Sequence, residues 1–377
     1  MILVTLFFAC PPVVDTDSGD TAAHTGDPDT GDTGDTGSTA VDYTTAVVAT
    51  VADDYSAAVL ATVDLDDGTV HDGLTTLPSD VGVVAEAGHL FVLGRFGYDL
   101  VRVYTPGEWS EPVAEFSVGD GGNPYDVHVC GGSAFVSLYG QDALERYDPA
   151  SWLLSGVVDL SSLADSDGIP EIAEMVEQDD TLFVAVQQLD QDNGWVANGG
   201  LVAAVGCTAG TLDAHWEVGP NPSLHEVPGE AGFYVRTGVY YDDEYNLMLD
   251  GIVAWFDPAT GLGAPLLAEG TLGENITDVA MVDKTHGLLL TQDAASAYTA
   301  WCWDVGTGTT TELFSTTSYL AGAVAGEGGE VWISARQSWT DPESQGGILT
   351  VDALTCAPGS EVWHSDLQFA PSSIAFY

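Results

Sequence analysis

Residues Asn123-Pro-Tyr-Asp-Val-His-Val-Cys-Gly-Gly-Ser-Ala-Phe-Val-Ser-Leu-Tyr-Gly-Gln-Asp-Ala-Leu-Glu-Arg-Tyr-Asp-Pro149 read as strand, tight turn, strand, loop, strand and turn, and Val157 to Leu160 supplies a fourth strand. Apolar residues alternate with period two, and Gly, Asn, Asp and Pro interrupt the runs. The unit is one antiparallel four-stranded sheet.

Its opening recurs as Pro78-Ser-Asp-Val-Gly-Val, Pro170-Glu-Ile-Ala-Glu-Met, Pro222-Ser-Leu-His-Glu-Val, Ile276-Thr-Asp-Val-Ala-Met, Leu320-Ala-Gly-Ala-Val-Ala and Pro371-Ser-Ser-Ile-Ala-Phe. The anchors are spaced by 46, 46, 52, 54, 44 and 51 residues, which is at or slightly above the length of a propeller blade. The last copy has no strands after it, while residues 44 to 77 hold three strands (about 45–51, 57–64 and 69–77) and no inner one. The C-terminal strand therefore completes the first blade, which removes two open sheet edges. The expected fold is all-β, a seven-bladed β-propeller of four-stranded antiparallel blades over residues 44–377.

Asn-Pro-Tyr-Asp-Val-His-Val at 123–129, followed by Ala-Phe-Val-Ser-Leu-Tyr-Gly at 134–140 and Leu-Glu-Arg-Tyr-Asp at 144–148, resembles the YVTN repeats of bacterial seven-bladed propellers, a group that shades into the lactonase-like propellers. The resemblance is strongest over residues 121–160, weaker over 79–120 and a matter of pattern elsewhere. It implies the fold. It implies function only weakly, because propellers host hydrolases, binding platforms and redox proteins alike.

The chain has 377 residues, 58 Asp and Glu against 6 Lys and Arg, and a formal charge of −52. Nucleic acid is excluded as a partner, since a phosphate backbone is held by clustered bases. Binding to an anionic leaflet through basic residues is excluded for the same reason. One segment could touch a membrane, Met1-Ile-Leu-Val-Thr-Leu-Phe-Phe-Ala-Cys10. It is far too short to span ~30 Å of hydrocarbon, and it resembles the signal peptide and lipobox of bacterial lipoproteins, with Cys10 as the lipidated residue. The segment lacks a basic start, and Phe7 stands where Leu is usual.

Residues 11–43 repeat Thr-Gly-Asp, have no aromatic before Tyr43 and carry eight acids with no base. They read as a disordered tether extended by like charge. The expectation is a bacterial cell-envelope protein, lipid-anchored and facing the periplasm or the exterior, monomeric, with membrane contact only through the anchor. Outside the tether the chain keeps 50 acids and 6 bases. Such self-repulsion is screened by salt, so the melting temperature should rise with NaCl to molar concentration, as for a marine or halophilic protein. A flat or falling dependence in a thermal melt would contradict this. Bound Ca²⁺ is an alternative source of neutralisation.

Aligning the blades turns strand positions into rings. The fourth residue after each anchor reads Gly82, His128, Glu174, Glu226, Ala280, Val324 and Ala375. His128, Glu174 and Glu226 are the candidate catalytic or metal-binding set, since a His with two carboxylates can hold a divalent cation or work as an acid/base pair. The plainer reading is a set of channel-lining polar groups bonded to water or neighbouring strands.

A second ring lies at the ends of the second strands: Arg95, Tyr139, Gln187, Gln292 and Arg336, with Arg236 two residues earlier in its blade. Its guanidinium groups could orient a carboxylate or another anion, or could neutralise neighbouring acids. Arg102 and Arg146, at matching third-strand positions, read as blade-to-blade salt bridges.

Asp190-Gln-Asp-Asn-Gly-Trp195 and Asp64-Leu-Asp-Asp-Gly68 space oxygen side chains as Ca²⁺ requires, with Asp190 and Asp192 as candidate ligands. Both are also ordinary hairpin-turn sequences. Asp15 to Asp20 superficially resembles a calcium loop but lacks its terminal Glu, and reads as linker. No P-loop, Gly-x-Ser-x-Gly, His-Glu-x-x-His or Cys-x-x-Cys is present. Cys130, Cys207, Cys302 and Cys356 allow three pairings. Pairing Cys130 with Cys207 and Cys302 with Cys356 would join neighbouring blades, and four separate thiols are the alternative. Two functions follow: a tethered, non-catalytic scaffold binding a protein, glycan or small molecule on one face, or a lactonase-like or other metal-dependent hydrolase working in the channel.

Overall fold

A computed structural model describes residues 43–239, 248–338, 346–356, 362–364 and 367–377. Seven four-stranded antiparallel sheets follow one another along the chain. The strand Ala370–Phe376 pairs with Thr45–Val51, so the first blade is built from both ends of the described chain. Blade 3 shows the repeat: Pro124–Cys130 innermost, then Ser133–Leu138, Ala143–Asp148 and Leu153–Asp159 outermost. Gly131 and Gly132, with φ of 54° and 77°, make the two-residue turn that joins its first two strands.

The inner strands of blades 2 and 4 to 7 are Val81–Glu86, Ile172–Gln178, Ser223–Glu226, Asn275–Met281 and Tyr319–Ala325. Period-two alternation is clear in outer strands such as Leu212–Glu217, where a half-buried residue alternates with an exposed one. The strands nearer the axis differ from that expectation. Thr45–Val51, the second strand of blade 1, is buried at every position after the first, because successive side chains face opposite neighbouring blades. Val47, Ala49 and Val51 pack toward blade 2, while Ala46 and Val48 pack toward blade 7 with Trp332, Ile374 and Phe376. The core is thus seven apolar clusters, one at each blade junction.

An inner strand has one free edge toward the axis, where backbone N–H groups need acceptors. The previous or next blade supplies them. Ser373 Oγ accepts from Val83 N at 3.2 Å, Glu86 Oε1 from Val129 N at 3.1 Å, Asp126 Oδ2 from Met175 N at 2.8 Å and Asp278 Oδ2 from Ala323 N at 2.7 Å. These side chains clip successive blades together.

Both cross-blade disulfides form, Cys130–Cys207 and Cys302–Cys356, with Cα separations of 5.4 and 5.6 Å. Gly131 permits the first: a Cβ there would lie 2.6 Å from the Cys207 carbonyl carbon. The expectation for Arg102 and Arg146 needs correction. Arg102 bridges Glu115 within its own blade at 2.7 Å and reaches blade 1 through the Thr76 carbonyl. Arg146 donates to Ser133 Oγ and lies over Phe135, and among the described residues it forms no ion pair. Lys284 and Glu230, at 2.8 Å, form an ion pair that crosses the junction of blades 5 and 6.

Candidate functional site

The channel ring is not one site. The side chains of Asp126, His128 and Cys130 leave their strand toward blade 4, where Asp126 meets Met175, His128 meets Glu177 and Cys130 meets Cys207. These contacts do not join matching positions of the repeat: Asp126 and His128 each meet a residue three positions further along the repeat of blade 4. His128 Nε2 lies 3.1 Å from Glu177 Oε2 and 3.9 Å from Glu86 Oε1. Burial opposes its charge, but Glu86, the Glu177 hydrogen bond and Asp126 raise it to about 9. An imidazolium donates from both nitrogens and cannot ligate a metal.

Glu174 is turned away from His128 by a register shift between Ile172 and Met175. It lines a small axial cavity of about 50 Å³ with Asp126, His225 and Glu226. Burial raises Glu174 to about 8, Asp126 to about 7 and Asp278 to about 6. Arg236 offsets part of this for Glu174 and Asp278. Among the described residues, His128, Glu174 and Glu226 do not bring ligand atoms within 4.8 Å of one another.

Arg236 departs from its expected place on the rim. It is buried and donates from Nε to Ser223 Oγ at 2.8 Å, and Ser223 Oγ is 2.8 Å from His225 Nε2. His225 Nδ1 in turn lies 3.8 Å from Asp278 Oδ1. The order Ser, His, Asp is that of a hydrolytic triad, but three facts oppose that use. Burial, then Arg236, pushes His225 down to about 3, so it is too weak a base to take the serine proton near neutral pH. The His–Asp gap exceeds a hydrogen bond. Ser223 is only 1% exposed. The array holds Arg236 against the channel acids. Sequence reading missed it because Ser223 and His225 stand one and three residues after the anchor, off the ring that was compared.

The second-strand ring does gather at one face, where the loops between second and third strands lie. The Arg95 guanidinium pairs with Asp80 at 3.0 Å and sits 5.9 Å from the Tyr125 ring centre. Tyr125 stacks on Tyr139, and Tyr139 on Trp195. Tyr139 Oη donates to Gln187 Oε1, and Gln187 reaches the Pro222 carbonyl. Arg336 sits 4.7 Å from the Tyr55 ring centre and donates to the Ala52 carbonyl. Gln292 donates to Tyr298 Oη, and Tyr298 packs edge-on against Tyr319. Burial raises the Tyr55 hydroxyl, while the positive fields of Arg336 and Arg95 lower it. Three blades thus bring two guanidinium groups to bear on one tyrosine.

Beside these groups Phe96, Tyr98 and Trp195 are 69%, 44% and 44% exposed. Sequence reading missed these aromatics, although each stands in a loop leaving a second strand. Asp190 does not present a free carboxylate: it accepts from Asn193 N and Ser166 Oγ and caps the turn Gln191–Asn193, with Asp192 exposed beside it. Asp64 likewise accepts from Asp66 N and Asp67 N.

No protein-family model matches the chain, and no curated protein matches it. Solved structures do. A chain of Kuenenia stuttgartiensis hydrazine synthase is 14% identical, with a TM-score of 0.57 over 84% of this chain and 98% of that one. The β-propeller domain of the Trilobed protease from Pyrococcus furiosus, which has an open velcro topology, is 8% identical, with a TM-score of 0.53 over 86% and 96%. A protein of unknown function from Bacteroides caccae is 10% identical, with a TM-score of 0.50 over 89% and 99%. At these identities the likeness is one of fold: the chain is a seven-bladed β-propeller, and its first blade is completed by the C-terminal strand.

Proposed function

We propose that this propeller is a non-catalytic binding protein whose ligand carries a carboxylate beside a sugar or other flat ring. The observation that carries this reading is the face on which the exposed rings of Phe96, Tyr98 and Trp195 stand beside Arg95 and Arg336, which are only 7% and 5% exposed, lie over tyrosines and place positive charge just beneath the surface. Guanidinium groups orient carboxylates, and exposed aromatic rings supply stacking area at low entropic cost. A protein, glycan or small molecule could present such a group, and a small ring with a single carboxylate fits best, because a net charge of −52 repels polyanions. The charge states of His128 and His225 support binding over hydrolysis, since one is held protonated and the other is too weak a base.

The N-terminal segment, outside the described residues, supports the rest of the reading: cleavage before Cys10, lipidation, and an acidic tether over 11–43 that holds the propeller off a bacterial envelope membrane. The YVTN-like repeat at 121–160 fits such a protein. The lactonase-like alternative rests on His128, Glu174 and Glu226, whose ligand atoms do not converge among the described residues.

Isothermal titration with monomeric uronic acids and with aromatic carboxylates tests the proposal. Saturable binding is expected, weakened about 10- to 100-fold in Arg336→Gln, as for loss of one charge-assisted contact, and weakened also in Trp195→Ala. Binding that ignores both substitutions would move the site elsewhere.

A further inference from the structure

The junction between blades 3 and 4 contains a group of side chains that the rim site does not use. Cys130 Sγ, Cys207 Sγ and a Glu177 carboxylate oxygen all lie within 4.8 Å of one another. Cys130 ends the inner strand of blade 3, Glu177 lies on the inner strand of blade 4, and Cys207 directly follows the third strand of blade 4. The other partner of Glu177 is His128 Nε2, at 3.1 Å. In this structure the two sulfurs are bonded to each other.

We propose that, when this disulfide is reduced, the junction becomes a binding site for a thiophilic divalent cation of the Zn²⁺ class, held by Cys130, Cys207 and Glu177. Two thiolates and a carboxylate are a zinc ligand set that leaves a fourth position open. His128 is the positioning residue: its Nε2, 3.1 Å from Glu177, fixes the carboxylate that would hold the ion. The scaffold is already spaced for it: the Cα atoms are 5.4 Å apart, and the sulfurs need separate only locally to flank an ion. Cys130 and Cys207 are buried, but the Glu177 side chain is 33% exposed and gives the ion a way in.

The chemistry balances with a phosphine or dithiol as reductant. The disulfide takes two electrons and two protons and becomes two thiols. The phosphine leaves as its oxide with an oxygen atom from water, or the dithiol leaves as its own disulfide. The incoming ion then displaces both thiol protons to solvent. Oxidised, the junction is closed by a covalent bond; reduced, it is closed by the metal.

The test uses the full chain reduced with a phosphine and titrated with Co²⁺ as spectroscopic probe, then with Zn²⁺. We expect one equivalent of Co²⁺ to give thiolate-to-cobalt charge-transfer absorption that Zn²⁺ abolishes. The signal should persist in a Cys302→Ser/Cys356→Ser variant and vanish in Cys207→Ser. Glu177→Gln, which leaves both cysteines in place, should weaken binding about 10-fold or more. Bound Zn²⁺ should also slow reoxidation of the 130–207 pair by a mild oxidant. Absence of charge-transfer absorption in folded, reduced protein would overturn the proposal. So would a signal that survives Cys207→Ser, or a reduced chain that unfolds and does not refold on adding metal.

Discussion

A chain that ends at Phe369, lacking Ala370–Tyr377, should not fold. The missing segment supplies the whole inner strand of blade 1, pairing from Ala46 with Phe376 to Val51 with Ala370. It also buries Ile374, Ala375 and Phe376 at junctions with blades 2 and 7, and Ser373 Oγ provides the acceptor for Val83 N. Losing buried Ile and Phe side chains costs about 2–5 kcal/mol each, before the unpaired backbone of Thr45–Val51 is considered. Domain stability is typically only about 5–15 kcal/mol, so the deletion should abolish the cooperative thermal transition in circular dichroism. A peptide spanning residues 367–377 should restore part of it. A truncated chain that melts cooperatively near the intact chain's temperature would mean that the ring does not depend on its closing strand.

Stability should fall as pH rises through the neutral range. Glu171 and Glu174 are raised to about 8, Asp126 and Glu269 to about 7 and Asp278 to about 6, in every case chiefly by burial. In the unfolded chain these groups ionise near pH 4. Between the two values the folded state holds more protons than the unfolded state, so raising the pH favours unfolding. Below about pH 4 both states are protonated and the penalty is absent; above about pH 8 it is complete. Each pH unit of difference is about 1.4 kcal/mol for one group. The melting temperature should therefore fall between about pH 5 and about pH 9. Glu174→Gln, which mimics the protonated side chain, should raise it at pH 9 and leave it nearly unchanged at pH 5. A stability maximum above pH 8, or no gain from Glu174→Gln at alkaline pH, would show that these carboxyls are ionised without cost.

The blade repeat was legible because each inner strand opens on the same short pattern, and the complementary deficits at residues 44–77 and 371–377 fixed the closure. The rim was legible in part, because Arg95 and Arg336 end equivalent second strands and arrive at one face. The channel was not. Equal positions in the repeat suggest that His128, Glu174 and Glu226 meet, but contacts between blades do not join matching positions, so His128 finds Glu177, three positions further along. A register shift between Ile172 and Met175 then turns Glu174 to the axis, and nothing in the composition of Pro170–Met175 announces it. Cys130 reaches Cys207 because Gly131 lets the Cys207 backbone approach, a distance that sequence does not carry.

The central claim is that the ligand sits on the face bearing Arg95, Arg336 and the exposed aromatics, and that the channel serves the scaffold. Amide hydrogen exchange with and without a saturating aromatic carboxylate locates the ligand directly. Binding on the rim predicts added protection in the loops around Tyr55, Arg95 to Asp99 and Gln188 to Asn198, with the inner strands Ile172–Gln178 and Ser223–Glu226 unchanged. Protection confined to those inner strands, with the rim loops unaffected, would place the ligand in the channel and contradict the account.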